Sequence, residues 1–271
     1  MTHVTREVFW NIPGVFRTVF YASAVLASGL FISGIWVKFS VWLRGKDNPD
    51  DIVYGMRGIE LARMSLKGLF SKECFFAKRV FEKSRVRGVV LVITIWSFLT
   101  LFMGTVILSL DYDLRLNFLN GMAYLVYSMI LDIAGALLGI CIIFYLGRRY
   151  VFRSENIVSS MDDAVILCLL LLIIITGFST EGLRLAYFRP PSMDWSPVGY
   201  LFARVFEAVF GGIASSYILA HRLVWLSHAA SALSFIAYIP FSKQFHMFSA
   251  QIVTSAAIKH NEKLRGILHE G

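Results

Sequence analysis

Five stretches of this chain are each long and apolar enough to cross a lipid bilayer: residues 19–43, 88–110, 121–147, 164–182 and 223–245. A hydrocarbon core about 30 Å thick takes about 20 apolar residues as a helix. Backbone polar groups in lipid must bond within their own segment or close into a barrel, and the alternation a barrel needs is absent. Each run therefore predicts a helix. Composition agrees, with 57% hydrophobic and 16% charged residues where a soluble domain has about 45–50% and about 25%. These figures exclude a disordered chain, a soluble enzyme and a nucleic-acid-binding domain. The expected fold is all-α, an integral membrane bundle of five transmembrane helices forming one membrane domain over residues 1–271.

The net charge of +8 is concentrated in a few loops. With five crossings, 19 of the 26 Lys and Arg residues fall on one side, 12 of them between Lys38 and Arg87. The excess of basic residues marks the cytoplasmic face, so the N-terminus is expected outside and the C-terminus in the cytoplasm. The first run is long enough to stay in the bilayer, so no cleaved leader is expected. Residues 44–87 form a basic cytoplasmic loop in which Ile59, Leu61, Met64, Leu66 and Leu69 alternate with charges. That pattern suits amphipathic helices lying on anionic headgroups or docking a cytoplasmic partner. Residues 197–220 are apolar but carry Arg204, Glu207 and Gly211-Gly212. They read as an outer-face or partly inserted helix. The alternative, a sixth crossing, would put the basic tail after Lys243 outside, against the charge rule. Cys74, Cys141 and Cys168 lack paired spacing and predict neither a disulfide nor a metal cluster.

Ionisable residues inside spans are costly and often functional. His228 and His246 are 18 residues apart, which is about five helical turns and about 27 Å, so they share a face; His221 lies about 20° off the same stripe. Imidazole is a favoured axial ligand of haem iron, and two histidines so spaced are what two stacked haems would need from one helix. Histidines near membrane surfaces also simply bond water or headgroups, a plainer account of His221 and His246. Asp132 sits midway along the third run with no sequence-near partner. It reads as a protonated structural acid, a partner for an interior arginine or a proton-transfer group. Glu181 and Arg184 are i, i+3 and pair locally on a helix.

At these residues the chain resembles the membrane cytochrome b subunits related to the respiratory nitrate reductase gamma subunit. The nearest branch serves heterodisulfide-reductase-like complexes and the membrane complexes of sulfate reducers. The resemblance is carried in order by Arg6-Glu7-Val8-Phe9-Trp10-Asn11-Ile12, Leu131-Asp132-Ile133-Ala134-Gly135, Gly147-Arg148-Arg149-Tyr150, Thr176-Gly177-Phe178 and Glu181-Gly182-Leu183-Arg184. It continues through Trp195-Ser196-Pro197-Val198-Gly199-Tyr200, His221-Arg222-Leu223-Val224-Trp225 with His228, Ile239-Pro240-Phe241-Ser242-Lys243 and His246-Met247. It implies up to two haems b with His228 and His246 as axial ligands. It also implies electron transfer between a quinone pool and a cytoplasmic iron–sulfur subunit of heterodisulfide-reductase type, in the inner membrane of a prokaryote.

The chain departs from the family in the second run, 88–110, which holds none of the family's opposing histidines; apolar residues stand around Leu91 and Leu101. Met103 lies about 200° round the helix from Leu101 and points away. Two expectations follow: a subunit keeping at least one haem, either five-coordinate or with His221 as an alternative ligand, or a haem-free anchor forming part of a quinone site. A small transporter is disfavoured, since inverted repeats and paired broken helices are not seen. Quinone chemistry moves protons with electrons and needs a titratable group within reach. Glu181, Arg184, His221 and Asp132 are the candidates, placed toward the outer half between the end of helix four and the start of helix five, with His228 assigned to the same level.

Overall fold

The computed structural model describes residues 8–45, 59, 63, 76, 78–152, 161–242 and 245. Most of the 44–87 loop lies outside these residues, as do His246 and the basic tail beyond Phe245. The described residues are helical without strands: α1 (Gly14–Gly45), α2 (Lys78–Lys83), α3 (Arg85–Asp113), α4 (Gly121–Leu146), α5 (Met161–Phe188), α6 (Pro197–Phe210) and α7 (Ala214–Tyr238). A π-helical turn, Gly147–Val151, continues α4, and a 3-10 turn, Ile239–Phe241, continues α7. Five helices are long and apolar enough to cross a membrane: Gly14–Val41, Arg85–Asp113, Gly121–Val151, Met161–Phe188 and Ala214–Phe241. The chain is an all-α, multi-pass membrane protein.

The contacts divide the chain into two units, residues 1–23 with 89–235 and residues 24–88 with 236–271. In the second unit close packing is made at glycines. A Cβ on Gly34 would lie 2.6 Å from Pro240 Cβ, and one on Gly88 would lie 2.5 Å from the Phe81 ring.

The first unit carries Asp132, Glu181, Arg184, His221 and His228 of the candidate site residues. Its centre is the antiparallel pair α4 and α5, tied near one end by the hydrogen bond from Arg184 to Tyr124 (3.0 Å) and at the other by the Arg149–Asp163 ion pair (2.7 Å). Between the ties, Leu138 and Ile142 of α4 pack with Leu167 and Ile174 of α5, and the Phe178 ring fills the notch at Gly135.

The segment expected as one piece over 197–220 is divided. The helix α6 stops at Phe210, Gly211 turns the chain with φ 59°, and residues from Ala214 belong to the last span. At 14 residues, or about 21 Å, α6 is too short to span. It starts beside Asp132 of α4, eleven residues and about 16 Å into that helix, where the amides of Val198 and Gly199 meet the Asp132 carboxylate. It ends against the first turn of α7, where Tyr217 donates to the Gly211 carbonyl (3.0 Å). Thus α6 rises from mid-depth to the end of the bundle at which α4 begins. Close contact with α5 at Gly182 holds it there: a Cβ on Gly182 would lie 2.5 Å from Phe202 Cβ and 3.0 Å from the Ala203 amide nitrogen.

The earlier start of α7 moves one sequence expectation. With the span beginning at Ala214 rather than near residue 223, His228 lies about 21 Å along it, close to its middle and deeper than the outer level expected for it.

Candidate functional site

Three of the four expected quinone-site residues gather around the start of α6. Asp132 is 6% exposed, and its two oxygens accept from the backbone of another helix: Val198 N–H to Oδ2 (2.7 Å) and Gly199 N–H to Oδ1 (3.1 Å). The Ser128 and Ser196 hydroxyls bond beside it (2.7 Å). The first amides of a helix lack intrahelical acceptors and carry the positive end of its dipole. Asp132 thus serves as the N-terminal cap of α6, supplied from 66 residues away. Both of its oxygens accept from N–H donors of the first turn of α6.

Glu181 also lies beside Gly199, its Cγ 3.0 Å from where a Cβ at that glycine would be. Arg184 clasps Glu181 through Nη2 (2.6 Å) and Nε (3.3 Å), and the same Nη2 donates to the Tyr124 hydroxyl (3.0 Å). Tyr124 is 5% exposed, and the side chains of Glu181 and Arg184 are 14% and 13% exposed. The expected local pair is therefore real, and it extends to a tyrosine of α4. A tyrosine three residues into a span looks like ordinary packing, and only the fold places it on Arg184. Closer to the end of the bundle, Glu207 of α6 pairs with Arg189 (3.0 Å) and Arg204 (2.9 Å).

His221 belongs to a different set of contacts. It is 3% exposed with the Trp10 ring edge-on at 4.4 Å, and Trp10 in turn packs on Tyr187 and Phe188. The turn before α1 is clipped in place by Arg222, which bonds the Asn11 carbonyl (3.3 Å) and side-chain oxygen (3.1 Å). Asn11 itself donates to the Ile218 carbonyl (2.6 Å). Asn11 adopts φ 60°, a left-handed conformation that asparagine tolerates better than most residues. Phe9 enters a nest of Phe20, Tyr21, Tyr112 and Trp225, so Trp225 packs inside this unit.

His228 binds α5. Its Nδ1 is 3.0 Å from the Ile173 carbonyl and 3.1 Å from Thr176 Oγ1, and its Cε1 sits 3.2 Å from where a Gly177 Cβ would be. A carbonyl only accepts, so this contact places a proton on Nδ1.

A porphyrin clamped between α3 and α7 needs an opposing ligand and an open slot, and the described residues do not fit it. No histidine stands in α3. Seven residues beyond His228 on the same face, Phe235 meets Phe98 of α3 directly, with ring centroids 5.8 Å apart. The notches at Gly104, Gly135 and Gly177 are filled by Leu131, Phe178 and His228. Among the described residues no group of three or more His, Cys, Asp or Glu side chains is arranged to hold a metal ion.

No family model matches the chain, and no solved structure matches it. Among curated proteins it is similar to one from Syntrophomonas wolfei subsp. wolfei (strain DSM 2245B / Goettingen), named EtfAB:quinone oxidoreductase. The likeness is to a quinone oxidoreductase. The two are 28% identical over 258 residues, covering 91% of this chain and 34% of the relative. The chain thus spans about a third of the length of the curated relative it matches.

Proposed function

We propose that this chain is the membrane part of a quinone-linked electron-transfer system, exchanging electrons and protons between a lipid-borne quinone and a redox partner. The observation that carries the reading is the likeness to a quinone oxidoreductase along nearly the whole chain. The buried Glu181–Arg184–Tyr124 cluster supports it, because quinone reduction needs a proton-handling group within hydrogen-bond reach. The quinone site is placed beside the start of α6. Asp132 shapes it through the α6 backbone, and Glu181 and Arg184 handle charge. In this reading His221 seals the end of the bundle behind Trp10.

The partner is taken to be an iron–sulfur subunit of heterodisulfide-reductase type, as the family resemblance implies, meeting the basic 44–87 loop in the cytoplasm of a prokaryote. The N-terminus is placed outside on the charge distribution. The reading is haem-free, because α3 offers no histidine and Phe98 meets Phe235 directly between α3 and α7. A second reading, haem b on His228 and a second haem b on His246, has one observation in its favour: the Nδ1 bond of His228 to the Ile173 carbonyl is the kind of contact that orients metal-ligating histidines.

Quinone-coupled turnover of the assembled complex tests the first reading. Glu181→Gln is expected to lower it about 100-fold, the scale of a lost acid–base group, with assembly unchanged. Wild-type turnover would move the site elsewhere. The purified complex is expected to show no haem b assignable to this chain. One haem per chain lost on His228→Ala would establish the second reading.

A further inference from the structure

We propose that Tyr124 is the hydrogen-bond and proton donor to a ring carbonyl of the quinone. The inference rests on the quinone reading above and adds to it a residue that the sequence did not single out. A phenol has one O–H to donate besides its acceptor lone pairs. In Tyr124 the acceptor side is taken by Arg184 Nη2 (3.0 Å), while the hydroxyl hydrogen is spent on no described residue. Leaving such a donor buried and unused is unfavourable. That cost disappears if a carbonyl oxygen is the intended acceptor. Glu181 lacks this freedom, since both its oxygens are held by the Arg184 guanidinium.

The arrangement also accounts for the charge that would be left behind. When one electron arrives from the iron–sulfur class of partner, the Tyr124 O–H bond breaks and an O–H bond forms on the ring oxygen. The resulting phenolate accepts from Arg184 Nη2, a charge-assisted bond stronger than its neutral counterpart. Water reaching the cluster returns the proton to the phenolate. A second electron and a second proton, taken up at the other carbonyl, complete the quinol. Quinol oxidation runs the same transfers in reverse.

The test uses the assembled complex with decylubiquinone and a short-chain menaquinone analogue. Binding is followed by quenching of tryptophan fluorescence, and turnover is measured separately. Tyr124→Phe keeps the ring and removes the donor. It is expected to lower kcat about 100-fold and weaken quinone binding about 10-fold. Wild-type rate and affinity in Tyr124→Phe, with turnover lost in Glu181→Gln, would overturn the role of Tyr124 and leave the site reading standing. Wild-type behaviour in both variants would overturn both. Should Tyr124→Phe assemble poorly, 3-fluorotyrosine at position 124 keeps the hydroxyl but gives up its proton more readily. A shift of the kcat–pH profile toward lower pH supports the proposal, and an unmoved profile overturns it.

Discussion

Asp132 and Glu181 both approach Gly199, and the fold treats the two acidic side chains differently. Asp132 is met by the amides of Val198 and Gly199, one on each oxygen. Glu181 is met by the guanidinium of Arg184, which it shares with Tyr124. Backbone donors cannot move away without unwinding the helix that carries them, so Asp132 is committed to architecture. A side-chain donor held in common between a carboxylate and a phenol can redistribute its bonds as a proton moves. A buried acid in a span is thus informative only once its partners are known: in the proposed reading, one of these two builds the quinone site and the other serves it.

The largest effect that would test this contrast is expected from Asp132→Ala. Two amides at the buried start of α6 lose their acceptor, and each buried donor left unsatisfied costs about 1–3 kcal/mol. A loss of about 3 kcal/mol should appear as a lower Tm in detergent, and disulfide trapping between Ser128→Cys and Ser196→Cys should fail with it. Unchanged stability and trapping, with turnover alone lost, would put Asp132 in the chemistry and dissolve the contrast. A smaller effect, about 1–3 kcal/mol of overpacking, is expected from Gly182→Ala. The added methyl meets Phe202 and the Ala203 backbone, so the Tm should fall while Glu181 and Tyr124 remain chemically intact. The smallest is Ser128→Ala, which removes one neutral bond to Ser196 and about 1 kcal/mol. Near wild-type turnover in that variant would sharpen the division between holding α6 and handling protons.

The five spans were legible because a run of about 20 apolar residues has few other uses. The Glu181–Arg184 pair was legible because i, i+3 spacing brings side chains together on any helix. The partner of Asp132 was not, since a backbone amide leaves no mark in the residue type at position 198 or 199. Tyr124 was missed for a related reason: its link to Arg184 spans 60 residues. The depth of His228 was misjudged because Ser215, Ser216, His221 and Arg222 dilute the hydropathy of the first turns of α7, hiding where the span begins. The aromatic nest around Phe9 was also hidden, because a Trp near a span end, such as Trp225, reads equally well as a headgroup anchor.

The trans-cap on α6 has a consequence for biogenesis. A helix beginning at mid-depth exposes amides that hydrocarbon cannot satisfy, at several kcal/mol for each unsatisfied group. It cannot settle until its acceptor is already in the bilayer. Asp132 belongs to the third span and is synthesised well before Val198 and Gly199. Chain order therefore delivers the acceptor ahead of the helix that needs it, and the partial helix folds onto a surface prepared for it during insertion.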